Sequence, residues 1–131
     1  MNAADFMHVA QTTKAFDDAV VSVLKAVEKK GWALFGVYDV KERLAAKGFA
    51  QQPLKIIEIC SARHANGFLG KNRLSSLCMP CRINVLQENH AVKIVAMRPA
   101  MVSAFFPEIG ESGSAEAEKD IKEIITGVAK S

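Results

Sequence analysis

The sequence predicts an α+β domain in which two long helices pack on one face of an antiparallel-rich sheet, with short helices between the strands. Three observations carry this. Phe16, Ala19, Val20, Val23, Leu24 and Val27 recur at helical spacing, and Ala117, Ile121, Ile124, Ile125 and Val128 do the same near the end of the chain, so each segment presents one apolar stripe. Residues 82–88 and 91–97 read as strands joined by Asn89-His90, a hairpin. The order of elements is strand, helix, strand, short helix, strand, short helix, hairpin, helix, which suits helices layered on an antiparallel-rich sheet.

Phe6 to Gln11 reads as a short edge strand. Thr12 and Thr13 are N-cap candidates for the first long helix, and Asp17 and Asp18 suit its positive end. Lys29 and Lys30 sit at its negative end, and Gly31 supplies the stop. Trp32 to Tyr38 is rich in aromatic and aliphatic residues and reads as a strand. Asp39, with Glu42 three residues on, resembles a capping box for a short helix that Gly48 ends. Pro53 precedes Leu54 to Ile59, whose near-continuous apolarity predicts an interior strand. Ser61 caps a helix over about Ala62 to Leu69, closed by Gly70, with Ala65, Phe68 and Leu69 facing inward. Ile83 and Val85 alternate with Arg82, Asn84 and Glu88, the signature of a half-buried strand. After the hairpin, Met101 to Phe106 is a short apolar piece broken by Pro107. Gly110 to Ser114 reads as a linker, with Ser114 capping the last helix.

At 131 residues, half of them hydrophobic and 24% charged, residues 1–131 are read as one globular domain. The net charge of +3 gives no case for nucleic acid, which needs a concentrated basic face. Met1 to Ala10 contains Asp5 and lacks both a basic and a long apolar region, so it does not read as a signal peptide. No apolar run reaches the length of a membrane span. Three cysteines, an odd number, argue against a disulfide scaffold, and the expected location is cytoplasmic.

The reactive chemistry is concentrated between Ile56 and Arg82, a window holding all three cysteines and one of the three histidines. Cys78-Met79-Pro80-Cys81 is a C-x-x-C. Paired thiols at this spacing close a disulfide or take a soft metal such as zinc or copper, and Arg82 is a cation able to lower a thiol pKa. The motif feeds a strand, so it lacks the helix N-terminus that usually favours the thiolate. The plain alternative is two small buried hydrophobes. Cys60 and His64 are four apart on the way into a helix, and Arg63, Lys71 and Arg73 flank the histidine. An imidazole among cations over an apolar floor suits haem, with basic side chains meeting the propionates. The residue after Cys81 is arginine, which excludes C-x-x-C-H attachment. The plain alternative for His64 is a solvated helix position. His8 and His90 are read as solvated, Asp39 and Glu42 as a cap, and Gly31, Gly36 and Gly48 as punctuation. There is no Gly-rich phosphate loop, Ser/His/Asp set or H-E-x-x-H.

Gly31-Trp32-Ala33-Leu34-Phe35-Gly36, Ile59-Cys60, Met79-Pro80-Cys81-Arg82 and Arg98-Pro99 stand in an order and spacing that resembles the family called domain of unknown function 302. The resemblance runs from about Phe6 to Phe106. It implies a compact α+β domain, often dimeric, with haem bound by some relatives. Two departures stand out: Cys60-Ser61-Ala62 replaces the family's Cys-Asn-Pro, with His64 where many relatives carry an aliphatic or aromatic residue. Cys78 also turns the usual lone L-P-C cysteine into a C-x-x-C.

Together these readings predict a soluble, non-enzymatic cofactor-binding protein. It would hold haem b with His64 as axial ligand, and Arg63, Lys71, Arg73 and Cys60 would line the site. The alternatives are a thiol-redox or soft-metal protein using Cys78 and Cys81, with an unidentified redox partner, and a cofactor-free interaction module. The expected assembly is a homodimer, because Met101 to Pro107 places two phenylalanines in a piece near a surface.

Overall fold

The computed structural model describes residues 2–130. Five strands, β1 (Met7–Thr12), β2 (Ala33–Asp39), β3 (Leu54–Cys60), β4 (Cys81–Glu88) and β5 (Ala91–Met97), form one sheet in the order β1-β5-β4-β3-β2. Every neighbouring pair is antiparallel. The helices are α1 (Ala3–Phe6), α2 (Phe16–Lys29), α3 (Val40–Ala45), α4 (Ala62–Lys71), α5 (Ala100–Phe105) and α6 (Gly110–Lys130). Short 3₁₀ turns span Arg73–Cys78 and Pro107–Ile109. The predicted α+β class is the observed one.

Strand alternation sends Ile57, Ile59, Ile83, Val85, Val92, Ile94 and Ala96 to one face, where they meet the stripes of α2 and α6. Ile57, Ile59, Ile83 and Ile94 are fully buried, and each such side chain stabilises the fold by about 1.5–3 kcal/mol. The opposite face carries Val9, Ile56, Glu58, Arg82, Asn84 and Val95, and among the described residues no helix covers it as α2 and α6 cover the core face. β1, the expected edge strand, is stapled to β5 from the other end of the chain, with Met7 opposite Met97 and Val9 opposite Val95.

Most local signals hold. Gly31 and Gly48 end their helices with φ of 81° and 87°, a conformation that favours glycine. The Asp39 side chain accepts from the Glu42 amide, and that of Ser61 from the His64 amide. Three expectations are corrected. Ala15, not Thr12 or Thr13, stands at the N-cap of α2 and makes no side-chain cap. Thr12 instead ends β1, buried, and its hydroxyl accepts from the Lys14 amide. The predicted linker at 110–114 is helical: α6 begins at Gly110, and Ser114 is buried within it, its hydroxyl 2.7 Å from that of Ser103. This part-buried Ser–Ser hydrogen bond gives the Gly/Ser-rich start of the helix the tertiary partner its composition did not advertise. Met101 and Val102 of α5 are buried and Phe106 just after it packs against the core, so of the two phenylalanines Phe105 alone, 66% exposed, faces outward. The expected patch is therefore one phenylalanine. No helix among the described residues is long and apolar enough to cross a membrane.

Candidate functional site

The end of the sheet where β4 begins and β5 finishes is the place where the cysteine-bearing segment meets the rest of the molecule. The chain leaves α4, passes through the 3₁₀ turn to Cys78 and crosses a cis Met79–Pro80 bond before entering β4 at Cys81. This brings Cys78, Met79 and Cys81 alongside the cross-strand pair Met7 and Met97. Five sulfur-bearing residues line one cleft of about 250 Å³, together with Phe68, Val95, Val102, Phe6 and Pro80. The lining is mostly apolar, with Arg82 and Asn84 as its main polar side chains.

The thiols are held in the protonated form. Burial pushes Cys81 up to about 11, helped by the proximity of Cys60 and Cys78 and only partly opposed by Arg82. Burial raises Cys60 and Cys78 as well. Cys78 closes a 3₁₀ turn and Cys81 opens a strand, so neither occupies a helix N-terminus that would favour a thiolate. Bare thiols of this kind are poor nucleophiles, but a soft cation displaces their protons on binding.

Next to the cleft, on the uncovered sheet face, Arg82 is held by a short polar relay. The Tyr38 hydroxyl donates to one oxygen of Glu58 at 2.7 Å, and Arg82 Nε lies 3.3 Å from the other. The Arg43 guanidinium sits 5.3 Å from the Tyr38 ring centre. Gly36 is needed for this geometry, because a methyl there would lie 2.9 Å from the Tyr38 hydroxyl oxygen. Its part is thus more than punctuation. Asn84, opposite Ile56 and Val95, buries its carboxamide oxygen without a hydrogen-bond partner.

The structure separates the residues grouped around His64. Its Nε2 lies 3.2 Å from Asp120 Oδ2, its ring centre is 5.5 Å from that of Trp32, and its side chain is 12% exposed. Trp32 Nε1 donates to the same Asp120 oxygen at 3.1 Å, and Lys30 bridges towards Asp120 and Glu123. His64 is thus a tie between α4, α6 and the start of β2. Cys60 belongs to the sheet face opposite Ile59. Arg63 pairs with Glu116 at 2.7 Å on the surface, and Lys71 and Arg73 are exposed. This donor set does not fit haem: the imidazole would have to leave Asp120 and Trp32 to reach an iron. His8, expected to be solvated, is also engaged. Its Nε2 is 2.7 Å from Glu118, which accepts from Arg98 Nε and the Ala100 amide. Burial raises the Glu118 carboxyl, but the Ala100, Arg98 and His8 contacts outweigh it and leave it below its usual value. His90 is exposed in its turn, as expected.

Among the described residues, no three of His, Cys, Asp and Glu are grouped to hold an ion. The cleft differs in kind, since thioethers make up most of its sulfur. Met7, Met97 and Asn84 were not legible as site residues. On a strand each looks like an ordinary alternation, and only the pairing of β1 with β5 sets Met7 opposite Met97 in the lining of the cleft that Cys78 also borders.

Fold and site together define a small α+β protein with one face of its sheet uncovered and a sulfur-lined cleft at the sheet's end. The chain belongs to the family described as domain of unknown function DUF302, which matches over residues 8–128. That match includes α6, beyond the reach of the sequence motifs. Among solved structures, the chain is similar to an uncharacterized conserved DUF302 protein from Bacillus stearothermophilus. The two are 23% identical with a TM-score of 0.86, over 92% of this chain and 96% of that one, a likeness of fold. Comparison with functionally curated proteins gives no match.

Proposed function

We propose that this chain is a non-enzymatic binding protein for a soft, low-valent metal ion of the cuprous type, held in the cleft. Cys78 and Cys81 would supply thiolates, and Met7, Met79 and Met97 thioethers. One observation carries the reading: of the three cysteines and five methionines in the chain, two and three respectively line a single cleft. Thiolate and thioether ligands select cuprous copper over harder cations. The methionine side chain is flexible enough to adjust around an ion. Thiols kept protonated by burial suit reversible metal capture better than redox exchange, where the attacking group must be a thiolate.

Anaerobic titration with cuprous ion against a coloured cuprous chelator tests this. The wild-type chain is expected to take up one ion, and the Cys78→Ser, Cys81→Ser double variant none. Cys60→Ser should retain uptake, because Cys60 is not among the lining residues. Two protonated thiols must each lose a proton, so apparent affinity should fall about 100-fold for each pH unit below neutrality. Uptake unchanged in the double variant, or no uptake by the wild-type chain, overturns the proposal.

A further inference from the structure

The 3₁₀ turn Arg73–Cys78 inverts the usual rule of burial. Three residues per turn set side chains three apart on one line, so Leu74 and Leu77 share one line and Ser75 and Cys78 another. The inner line holds Ser75, fully buried, its hydroxyl without a hydrogen-bond partner. The outer line holds the leucines, 68% and 84% exposed, the two most exposed large apolar side chains among the described residues. An unpaired buried hydroxyl costs stability, and each exposed leucine forgoes the gain of burial. Folding alone gives no reason for this arrangement. The leucines are also held in place: the Asn72 side chain accepts from the Leu74 amide at 2.9 Å and donates to Glu108 at 2.8 Å.

Charge around the leucines identifies what meets them. Residues 59–87 contain Arg63, Lys71, Arg73 and Arg82 and no Asp or Glu, a charge of +4 where the whole chain has +3. Arg63 is paired with Glu116 and Arg82 with Glu58. Lys71 and Arg73, immediately before the leucines, are exposed and form no ion pair among the described residues. One carboxylate, Glu108, approaches this stretch through Asn72, which leaves the balance positive. Two outward leucines beside two cations have the composition of a lipid interface, where apolar side chains enter the acyl boundary and cations stay with the headgroups. A protein partner suits them less, because leucine is under-represented among the residues that carry interface energy. A nucleic-acid backbone gives the leucines no apolar partner.

We infer that this turn docks the protein onto a bilayer surface bearing anionic lipid, with Leu74 and Leu77 inserted below the headgroups and Lys71 and Arg73 against them. The contact is peripheral, through one turn of chain. It goes beyond the metal reading above and does not depend on it.

Sedimentation of the full chain with phosphatidylcholine vesicles containing about 30% phosphatidylserine tests the inference, with pure phosphatidylcholine vesicles as the neutral control. Partition should be at least about tenfold stronger onto the anionic vesicles, and should fall steeply between about 0.1 and about 0.5 M salt. Lys71→Gln and Arg73→Gln should each weaken it about fivefold. Leu74→Ser combined with Leu77→Ser should weaken it at least about tenfold. That variant should keep the wild-type circular dichroism and Tm, since substitution of exposed side chains changes stability little. Leu77→Trp gives a depth reading: its emission should move to the blue on binding and be quenched by lipids brominated along the acyl chain. Trp32, 6% exposed, supplies the unchanged baseline. A chain that does not sediment with anionic vesicles overturns the proposal. Binding indifferent to the leucine pair, or an unquenched Leu77→Trp probe, overturns their insertion. Retention by duplex DNA and not by vesicles would make the stretch a nucleic-acid contact and overturn the lipid assignment.

Discussion

Asp120→Ala should be one of the most damaging changes available at a polar residue outside the cleft. The carboxylate lies on α6 and takes the Trp32 indole N–H at 3.1 Å and His64 Nε2 at 3.2 Å. Trp32 is 6% exposed, so its indole N–H has little recourse to water once the acceptor is gone. Losing a hydrogen bond to a charged acceptor and stranding a buried donor costs about 2–3 kcal/mol. The Lys30 contact at 4.0 Å adds little, being partly exposed and screened. At about 2.1 cal/mol/K per residue, the 131 residues give an unfolding entropy of about 0.28 kcal/mol/K near the midpoint, so Tm should fall by about 7–11 °C. Asp120→Asn keeps an acceptor for the indole and should lose about 3 °C or less by the same conversion. Thermal unfolding followed by circular dichroism gives the shifts. Emission from Trp32, the only tryptophan, reports the junction directly. An Asp120→Ala protein melting within about 2 °C of the wild type would refute the claim that this carboxylate ties α4 and α6 to β2.

His64→Ala should lower Tm by about 4–7 °C through the same junction, about 1–2 kcal/mol, and a variant as stable as wild type would remove His64 from the frame. Cys81 should resist alkylation until strongly alkaline pH, with a rate midpoint near 11. Because its pKa is raised on folding, the associated stability is complete below its ordinary value of 9.0 and is lost as pH rises towards 11. A midpoint near 9.0 would contradict its burial. Glu118 has the opposite sign: its pKa is lowered from 4.5, so the stability it confers is present above 4.5 and lost as pH falls through its folded value. Glu118→Gln should flatten the acid limb of the stability profile, and an unchanged limb would count against the His8–Arg98–Glu118 cluster. Phe105→Ser should alter stability by no more than about 0.5 kcal/mol, while Phe106→Ser should cost about 1–3 kcal/mol because Phe106 packs on the core, both measured by urea unfolding.

The amphipathic stripes of α2 and α6, the β4–β5 hairpin and the stops at Gly31 and Gly48 could all be read from the chain, because each follows from spacing or backbone conformation within one segment. The C-x-x-C was visible for the same reason, and with it half of the candidate site. Its other half was not. Met7 and Met97 are far apart in sequence, and only the pairing of the first strand with the last places them opposite one another. Asn84 is an unremarkable outward residue until the sheet buries its oxygen. His64 among basic neighbours had the local look of a ligand. Asp120 and Trp32 claim it from 56 and 32 residues away, and Glu118 claims His8 across 110. Local pattern fixes secondary structure because its interactions span a few residues. A side chain's partner is set by which elements the tertiary packing brings together, and that decides whether a polar group ties the fold or faces a ligand.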